Sequence, residues 1–357
     1  MQLGAVLVFD AGPLELRHGG IDVERLRAYT AKRMAELPGA REASFELECH
    51  VRHVSLPRPC DERALKRLAA SVFSQALDPA RPPWELWVVE GLEGRRFALL
   101  AKLDSALLEP SPSLLRRALS AAQPFELLGR VTGALAGSAS HSAHRRIEWL
   151  ALAEADVAAV RTRFGGTERD VVLAALAAAF RRSAPRESLR VATPSFADGR
   201  VSSARFRLPV EVADARARLV AVRAACERHP PGGVEHPSLA RELAVLARTA
   251  HADVAAYALE SRPAPESLLG ARLQAFVPIA PVLPGQTLGV TVTRLGDKVQ
   301  IGLAADAARL PDLSALCDAL AAGFDELRRY AAEQSEKGAK VPARRRRRPE
   351  RPMEQTR

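Results

Sequence analysis

Ten consecutive apolar residues, Val171 to Phe180, constrain this chain more than any other feature. The run follows Gly165-Gly166-Thr167 and ends at Arg181-Arg182, so the pattern predicts a helix over 168–182. A helix that is apolar all round offers no face to water and must lie between other layers. Ten residues are about half of the ~20 needed to cross a bilayer, so those layers are protein. A chain of 357 residues, 47% hydrophobic and 26% charged, has enough core to bury it. At ~150 residues per domain, the length suggests about two domains.

Strand and helix patterns alternate along the rest of the chain, which predicts an α/β protein with mixed sheets. Residues 4–9 read as a buried strand, and Asp22 caps a helix that Pro38 ends. Phe45, Leu47, Cys49 and Val51 alternate with Glu46, Glu48, His50 and Arg52, which predicts a half-buried strand with His50 on the solvated face. Asp61 opens a helix with Leu65, Leu68, Ala69, Val72 and Ala76 on one face. Trp84–Glu90 and Phe97–Leu103 flank a glycine-bounded turn and read as a β-hairpin. A loop over 104–113 and a short helix at 114–121 follow. Residues 129–144 turn to Gly, Ser and Ala and read as a linker between a first domain, 1–128, and a second, 145–334.

The second part predicts strands at 147–152, 189–193 and 203–208, and helices at 154–163, 212–228 and 238–249. Gly296-Asp297 joins two further strands, 287–294 and 298–304. Asp312 caps a last helix carrying Leu313, Leu316, Leu320, Phe324 and Leu327 on one face. From about residue 335 the chain is polar and basic and is expected to be disordered.

The net charge is +10, and residues 337–357, with nine Lys or Arg against two Glu, hold seven of those charges. The body is nearly neutral, so the high isoelectric point is no argument for nucleic-acid binding by the folded part. Cys49, Cys60, Cys226 and Cys317 stand far apart, with no CxxC pair. That excludes a disulfide scaffold and a structural zinc site, and makes a reducing compartment the default. Asp10 interrupts the first apolar run and no basic leader precedes it, so a secretory signal is not expected. The expectation is a cytoplasmic chain with peripheral contact at a membrane or lipid inclusion.

Four segments go beyond generic patterning: HVRHVSLP at 50–57, RPPWELWVVEGLEGRRFALLAKL at 81–103, GGTERDVVLAALAAAFRR at 165–182, and the block 270–313 containing Pro284-Gly285-Gln286. In order and spacing, over about residues 4–332, they resemble the bacterial wax ester synthase/diacylglycerol acyltransferase family. The resemblance implies two chloramphenicol-acetyltransferase-like domains with a tunnel at their interface. It implies acyl transfer from acyl-CoA, as co-substrate rather than cofactor, to a long-chain alcohol or diacylglycerol. It also places a His-His-x-x-x-Asp-Gly motif directly after the second hairpin strand.

That place reads Asp104-Ser105-Ala106-Leu107-Leu108-Glu109-Pro110. Both histidines are replaced, Asp has become Glu109 and Gly has become Pro110. An alcohol needs a base to take its proton in the transition state, and a general base is worth ~10²–10⁴ in rate. Ser105 cannot accept that proton without a base of its own. Asp104 is a weak base, and neighbours on an extended segment face opposite ways. Pro110 forbids dihedrals that glycine permits. The family's Asn-Asp pair reads Arg169-Asp170 here, and Thr167-x-x-Asp170 has the spacing of a capping box. Its Asn-x-Pro-Gly-Pro segment would fall near 258–262, where only Pro265 nearby matches. The family also begins with a segment ahead of the first strand, and Met1 stands almost at that strand.

No other histidine stands at a position that replaces the pair, and a triad of Ser105 with a distant His and carboxylate is the alternative left open, since triads are spatial rather than sequential. His50 and His53 read as structural, His141 and His144 as linker residues, and His229, His236 and His251 have no metal-ligand spacing. Trp84 and Trp87 read as core residues before tunnel lining, and Gly165-Gly166 as a turn before a phosphate cradle. Arg344, Arg345, Arg346, Arg347 and Arg348 form a basic run without aromatics, which favours an anionic lipid surface over nucleic acid. Two readings stand: an acyltransferase working without its usual base, or a non-catalytic acyl-CoA or lipid binder, free or partnering an active paralogue.

Overall fold

The computed structural model describes residues 2–35, 47–78, 81, 84–104, 144–183, 188–197, 200–228, 232–235, 252–258, 267–283 and 285–339. Among these, thirteen strands form two sheets.

The first sheet is built on β1 (Gln2–Asp10), β2 (Val51–Ser55) and the hairpin β3 (Trp84–Leu92)–β4 (Arg96–Asp104), with β10 (Ser267–Leu268) and β11 (Ala271–Ile279) at its other edge. Its order is β10-β11-β1-β4-β3-β2, antiparallel except for the parallel β2–β3 pair. Helices α1 (Val23–Ala35) and α3 (Glu62–Ser74) belong to this half, each started as its sequence predicts. The Asp22 carboxylate accepts the Arg25 N–H at 2.9 Å, and the Asp61 carboxylate accepts the Ala64 N–H at 2.7 Å.

The second sheet has the order β5-β13-β12-β9-β6-β7-β8. Its strands are β5 (Arg145–Ala153), β6 (Leu189–Ala197), β7 (Arg200–Leu208), β8 (Gly232–Glu235), β9 (Val254–Ala258), β12 (Leu288–Leu295) and β13 (Lys298–Asp306). Helices α4 (Glu154–Phe164), α5 (Glu168–Ser183), α6 (Ala215–Arg228) and α7 (Leu313–Ala339) cover it. The apolar helix is α5, and every residue from Asp170 to Phe180 is buried. Gly323 of α7 lets the two helices meet: a Cβ there would lie 2.8 Å from the Ala175 carbonyl oxygen.

The segment after residue 145 supplies strands to both sheets, so the sheets do not divide where the linker was read. β11 pairs with β1 in the first sheet, and residues 280–287 then cross to β12 in the second. The crossing is tight. A Cβ at Gly302 of β13 would lie 2.5 Å from the Pro278 carbonyl oxygen, which also accepts the Thr291 hydroxyl at 2.6 Å. Lys66 of α3 adds a second tie, its ammonium 3.0 Å from Glu148 and 2.9 Å from the Trp149 carbonyl of β5.

Three expectations are corrected. The strand read at 45–51 is, from Leu47 to His50, the short helix α2, and β2 begins only at Val51. His50 is buried rather than solvated: Nδ1 lies 2.8 Å from the Trp84 carbonyl oxygen and the ring stacks on Trp84. A polar residue with a buried partner mimics the exposed half of a period-two pattern. α7 continues to Ala339, past the residue where disorder is expected to begin, because Ala, Glu, Gln and Lys sustain a helix, and the tail beyond it lies outside the described residues. The helices read at 114–121 and 238–249, and the linker up to residue 143, lie outside the described residues. Among the described residues, no helix is long and apolar enough to cross a membrane.

Candidate active site at the end of β4

β4 lies in the middle of the first sheet, between β1 and β3. Its register is continuous to its last residue, with Trp84 opposite Leu103 and Gln2 opposite Asp104. The motif position therefore opens at the end of a central strand. Asp104 is the last described residue there, and Ser105, Glu109 and Pro110 lie outside the described residues.

Two residues before that end, Lys102 carries an ammonium into the sheet face with 1% exposure. Its Nζ donates to the Val72 carbonyl at the end of α3, at 3.1 Å, and lies 3.5 Å from Glu85 Oε2, its register partner on β3. Glu85 also faces Arg52 of β2 at 3.3 Å and accepts the Trp87 indole N–H at 3.1 Å. Arg52 lies 5.0 Å over the Trp87 ring. Burial pulls the Lys102 amine below its ordinary range, and Glu85 opposes that shift. The network leaves one net positive charge beside the motif position.

Arg145 opens β5 at the same corner. Its backbone N–H donates to Ser74 Oγ at 2.8 Å, two residues beyond the carbonyl that holds Lys102. Its guanidinium donates through Nη2 to the Val282 carbonyl at 3.2 Å, while Nη1 is shielded from solvent and has no acceptor among the described residues. Sequence reasoning passed over Lys102, Glu85 and Arg145. The available signal was a charge inside an apolar strand pattern, as in Phe97–Leu103, where Lys102 interrupts six apolar residues.

Asp170 stands apart from this corner, at the start of α5 in the core of the second sheet. One of its carboxylate oxygens accepts the Thr167 N–H at 2.8 Å, and the Thr167 hydroxyl accepts the Asp170 N–H at 3.2 Å. This is the capping box its spacing predicts. The Cys226 thiol donates to the other oxygen at 3.5 Å, so both oxygens are engaged. The Arg223 guanidinium fills the space before Gly165-Gly166, within 2.7 Å of where a Gly165 Cβ would stand, and donates to the Phe164 carbonyl. The turn is occupied by a side chain of the chain itself.

His53 lies 3.1 Å from Glu90 on the neighbouring strand. Burial works against the ionised form of Glu90, but hydrogen bonds from the Ser55 hydroxyl, the Ile21 N–H and His53 outweigh it and hold the carboxyl below its usual range. Arg218, fully buried, donates to the carbonyls of Ala174, Val212 and Ala213 and to Glu326. Burial and the nearby Arg181 and Arg182 push its pKa down to about 10. A cleft of about 290 Å³ beside it, bounded by Asp214, Glu326 and Tyr330, belongs to the helices of the second sheet rather than to the β4 corner. Among the described residues no cluster of His, Cys, Asp or Glu could hold a metal ion.

Two mixed sheets that the chain enters in turn, with β10 and β11 returning to the first sheet after β9 and a motif position at the end of a central strand, define the class of mixed α/β acyltransferase-like folds. A solved wax ester synthase/diacylglycerol acyltransferase from Marinobacter aquaeolei superposes with a TM-score of 0.68 over 93% of this chain and 95% of that one, at 22% identity. The first condensation domain of the calcium-dependent antibiotic synthetase shares the fold more distantly, with a TM-score of 0.52 over 93% of this chain and 91% of that chain, at 14% identity.

The family model for the wax ester synthase/diacylglycerol acyltransferase catalytic domain matches residues 25–229, and the model for the C-terminal domain of the same family matches residues 263–328. The chain belongs to this family. A Mycobacterium tuberculosis protein named as a diacylglycerol O-acyltransferase is 29% identical over 341 residues, spanning 79% of this chain and 76% of its own.

Proposed function

We propose that this chain keeps the family's acyl-binding architecture and lacks its proton-abstracting chemistry, acting as an acyl-CoA or lipid binder. The observation that carries the reading is the register of β4: the strand runs unbroken to Asp104, and the next positions in sequence are Ser105 and, further on, Glu109 and Pro110, with no histidine among them. The ligand class comes from the family and from relatives named as diacylglycerol O-acyltransferases. It comprises acyl-CoA together with a long-chain alcohol or diacylglycerol. Positioning alone supplies residual catalysis in many sites, so a weakly active enzyme is the second outcome that experiment must separate.

The basic run Arg344 to Arg348 follows α7 and suits an anionic membrane or lipid-inclusion surface, where each Lys or Arg contributes about 1 kcal/mol. The test of the binding half is calorimetric titration of the full chain with palmitoyl-CoA and with free coenzyme A. Saturable binding of palmitoyl-CoA, well above that of coenzyme A, is expected. Equal or undetectable binding of both contradicts the reading.

A further inference from the structure

In the second sheet, β6 and β7 put three arginines on one face. Leu189, Val191, Phe206 and Leu208 point into the core under the covering helices. The alternate residues Arg190, Arg205 and Arg207 therefore take the opposite face, and all three are exposed. Arg207 is the register partner of Arg190, and Arg205 stands two residues before it on β7. Neighbouring strands lie ~4.8 Å apart and alternate residues ~7 Å, so the three side chains start from one small patch. Like charges directly opposite each other are destabilising. Asp253 offsets Arg190, its Oδ2 lying 3.4 Å from Nε and accepting the Arg190 N–H at 2.9 Å. Among the described residues, no carboxylate pairs with Arg205 or Arg207. The same face leads to the seam between the sheets: Ala192 of β6 is the register partner of Ala255 of β9, and Ala255 and Tyr257 pack into a core cluster of the first sheet.

We propose that Arg190, Arg205 and Arg207 form the surface that receives the phosphates of the coenzyme A part of acyl-CoA. A guanidinium fork matches phosphate oxygens two at a time. An open patch with no cavity suits a phosphate chain that stays in solvent, and a bound polyanion removes the repulsion between Arg190 and Arg207. The inference rests on the acyl-CoA reading of the proposed function and deepens it: the ligand is read by its phosphates, beside the seam.

The experiment titrates the full chain with palmitoyl-CoA and with S-palmitoyl-pantetheine, which carries no phosphate, and adds phosphatidylglycerol vesicles as a third arm. The unmodified chain is expected to bind palmitoyl-CoA about tenfold more tightly than palmitoyl-pantetheine, with the gap shrinking as salt rises. An Arg205→Gln, Arg207→Gln variant should lose about tenfold for palmitoyl-CoA and keep its affinity for palmitoyl-pantetheine and for the vesicles. The matching Lys variant, which keeps the charge and loses the fork, should fall between. The Gln variant should melt no lower than the unmodified chain, since it removes like charges. The tail is the same in every variant, so its charges cancel in the comparison.

Equal affinity of the unmodified chain for the two palmitoyl ligands overturns the proposal without any variant. So does a Gln variant that binds palmitoyl-CoA as before, one that weakens both palmitoyl ligands alike, or one that loses the vesicles and keeps palmitoyl-CoA. An unmodified chain that binds neither palmitoyl ligand overturns the acyl-CoA reading itself, so the two failures are distinguishable.

Discussion

Glu85 holds two cations at once, and its removal and that of Lys102 are not equivalent. Without Lys102, Glu85 keeps Arg52 at 3.3 Å and the Trp87 indole. Without the Glu85 charge, a fully buried ammonium faces only a carbonyl. Breaking a buried pair so that a charge is left alone costs about 3–5 kcal/mol. Glu85→Gln should therefore destabilise by that order, and Lys102→Met by clearly less, in urea unfolding. Equal losses would show that the network is not organised around Glu85.

The buried thiols give a pH dependence whose sign is fixed. Burial pushes Cys317 from 9.0 up to about 12, and burial with the Asp170 charge does the same to Cys226. The folded chain thus holds these protons where the unfolded chain has lost them. The stability they contribute is whole below pH 9 and is lost as pH rises from 9 through about 12. Lys102, lowered by burial, works in the opposite sense on its side of 10.5. Unfolding free energy of the unmodified chain should fall above pH 9 faster than that of a Cys226→Ala, Cys317→Ala variant. Parallel curves would refute the assignment.

At the scale of elements, α5 and α7 cross where Gly323 meets Ala175 and Ala178 at 2.8 and 2.9 Å from a would-be Cβ. Alanine is a better helix former than glycine by about 1 kcal/mol, yet overpacking a tight contact costs about 1–3 kcal/mol. The neighbours are backbone and a short side chain with nowhere to turn, so the clash wins. Gly323→Ala should lower the melting temperature, and an increase would mean that the crossing is looser than described. Asp170→Ala should cost about 1–2 kcal/mol through the lost cap. Thr167→Ala, its reciprocal partner, should cost a similar amount.

These elements also mark how much of the molecule could be read in advance. The capping box, the buried helix and the β3–β4 hairpin were legible because each is a local rule with a short reach in sequence. His50 was misread because its partner, the Trp84 carbonyl, lies 34 residues away. The motif substitutions were legible as substitutions. The pairing of Lys102 with Glu85 and the open donor of Arg145 were not, since both depend on which strands become neighbours. Nothing in the pattern of 271–279 announced a strand destined for the first sheet.

At the scale of the whole molecule, the two sheets are joined by the β11 crossing and by Lys66, and the charge asymmetry lies beyond α7. The tail's part in surface binding predicts that the chain co-sediments with anionic vesicles, falling steeply with salt. A chain ending at Ala339 should lose this binding and keep its affinity for palmitoyl-CoA. Retained vesicle binding would move the surface contact to the folded body.

The central claim is a fold kept and a base lost, and the acyl transfer assay tests it most directly. Purified full chain is given labelled palmitoyl-CoA with hexadecanol and with diacylglycerol, beside an Asp104→His, Ser105→His, Glu109→Asp, Pro110→Gly variant. The account predicts no ester above blank from the unmodified chain and measurable ester from the variant. Ester formed by the unmodified chain at a rate near the variant's would contradict it.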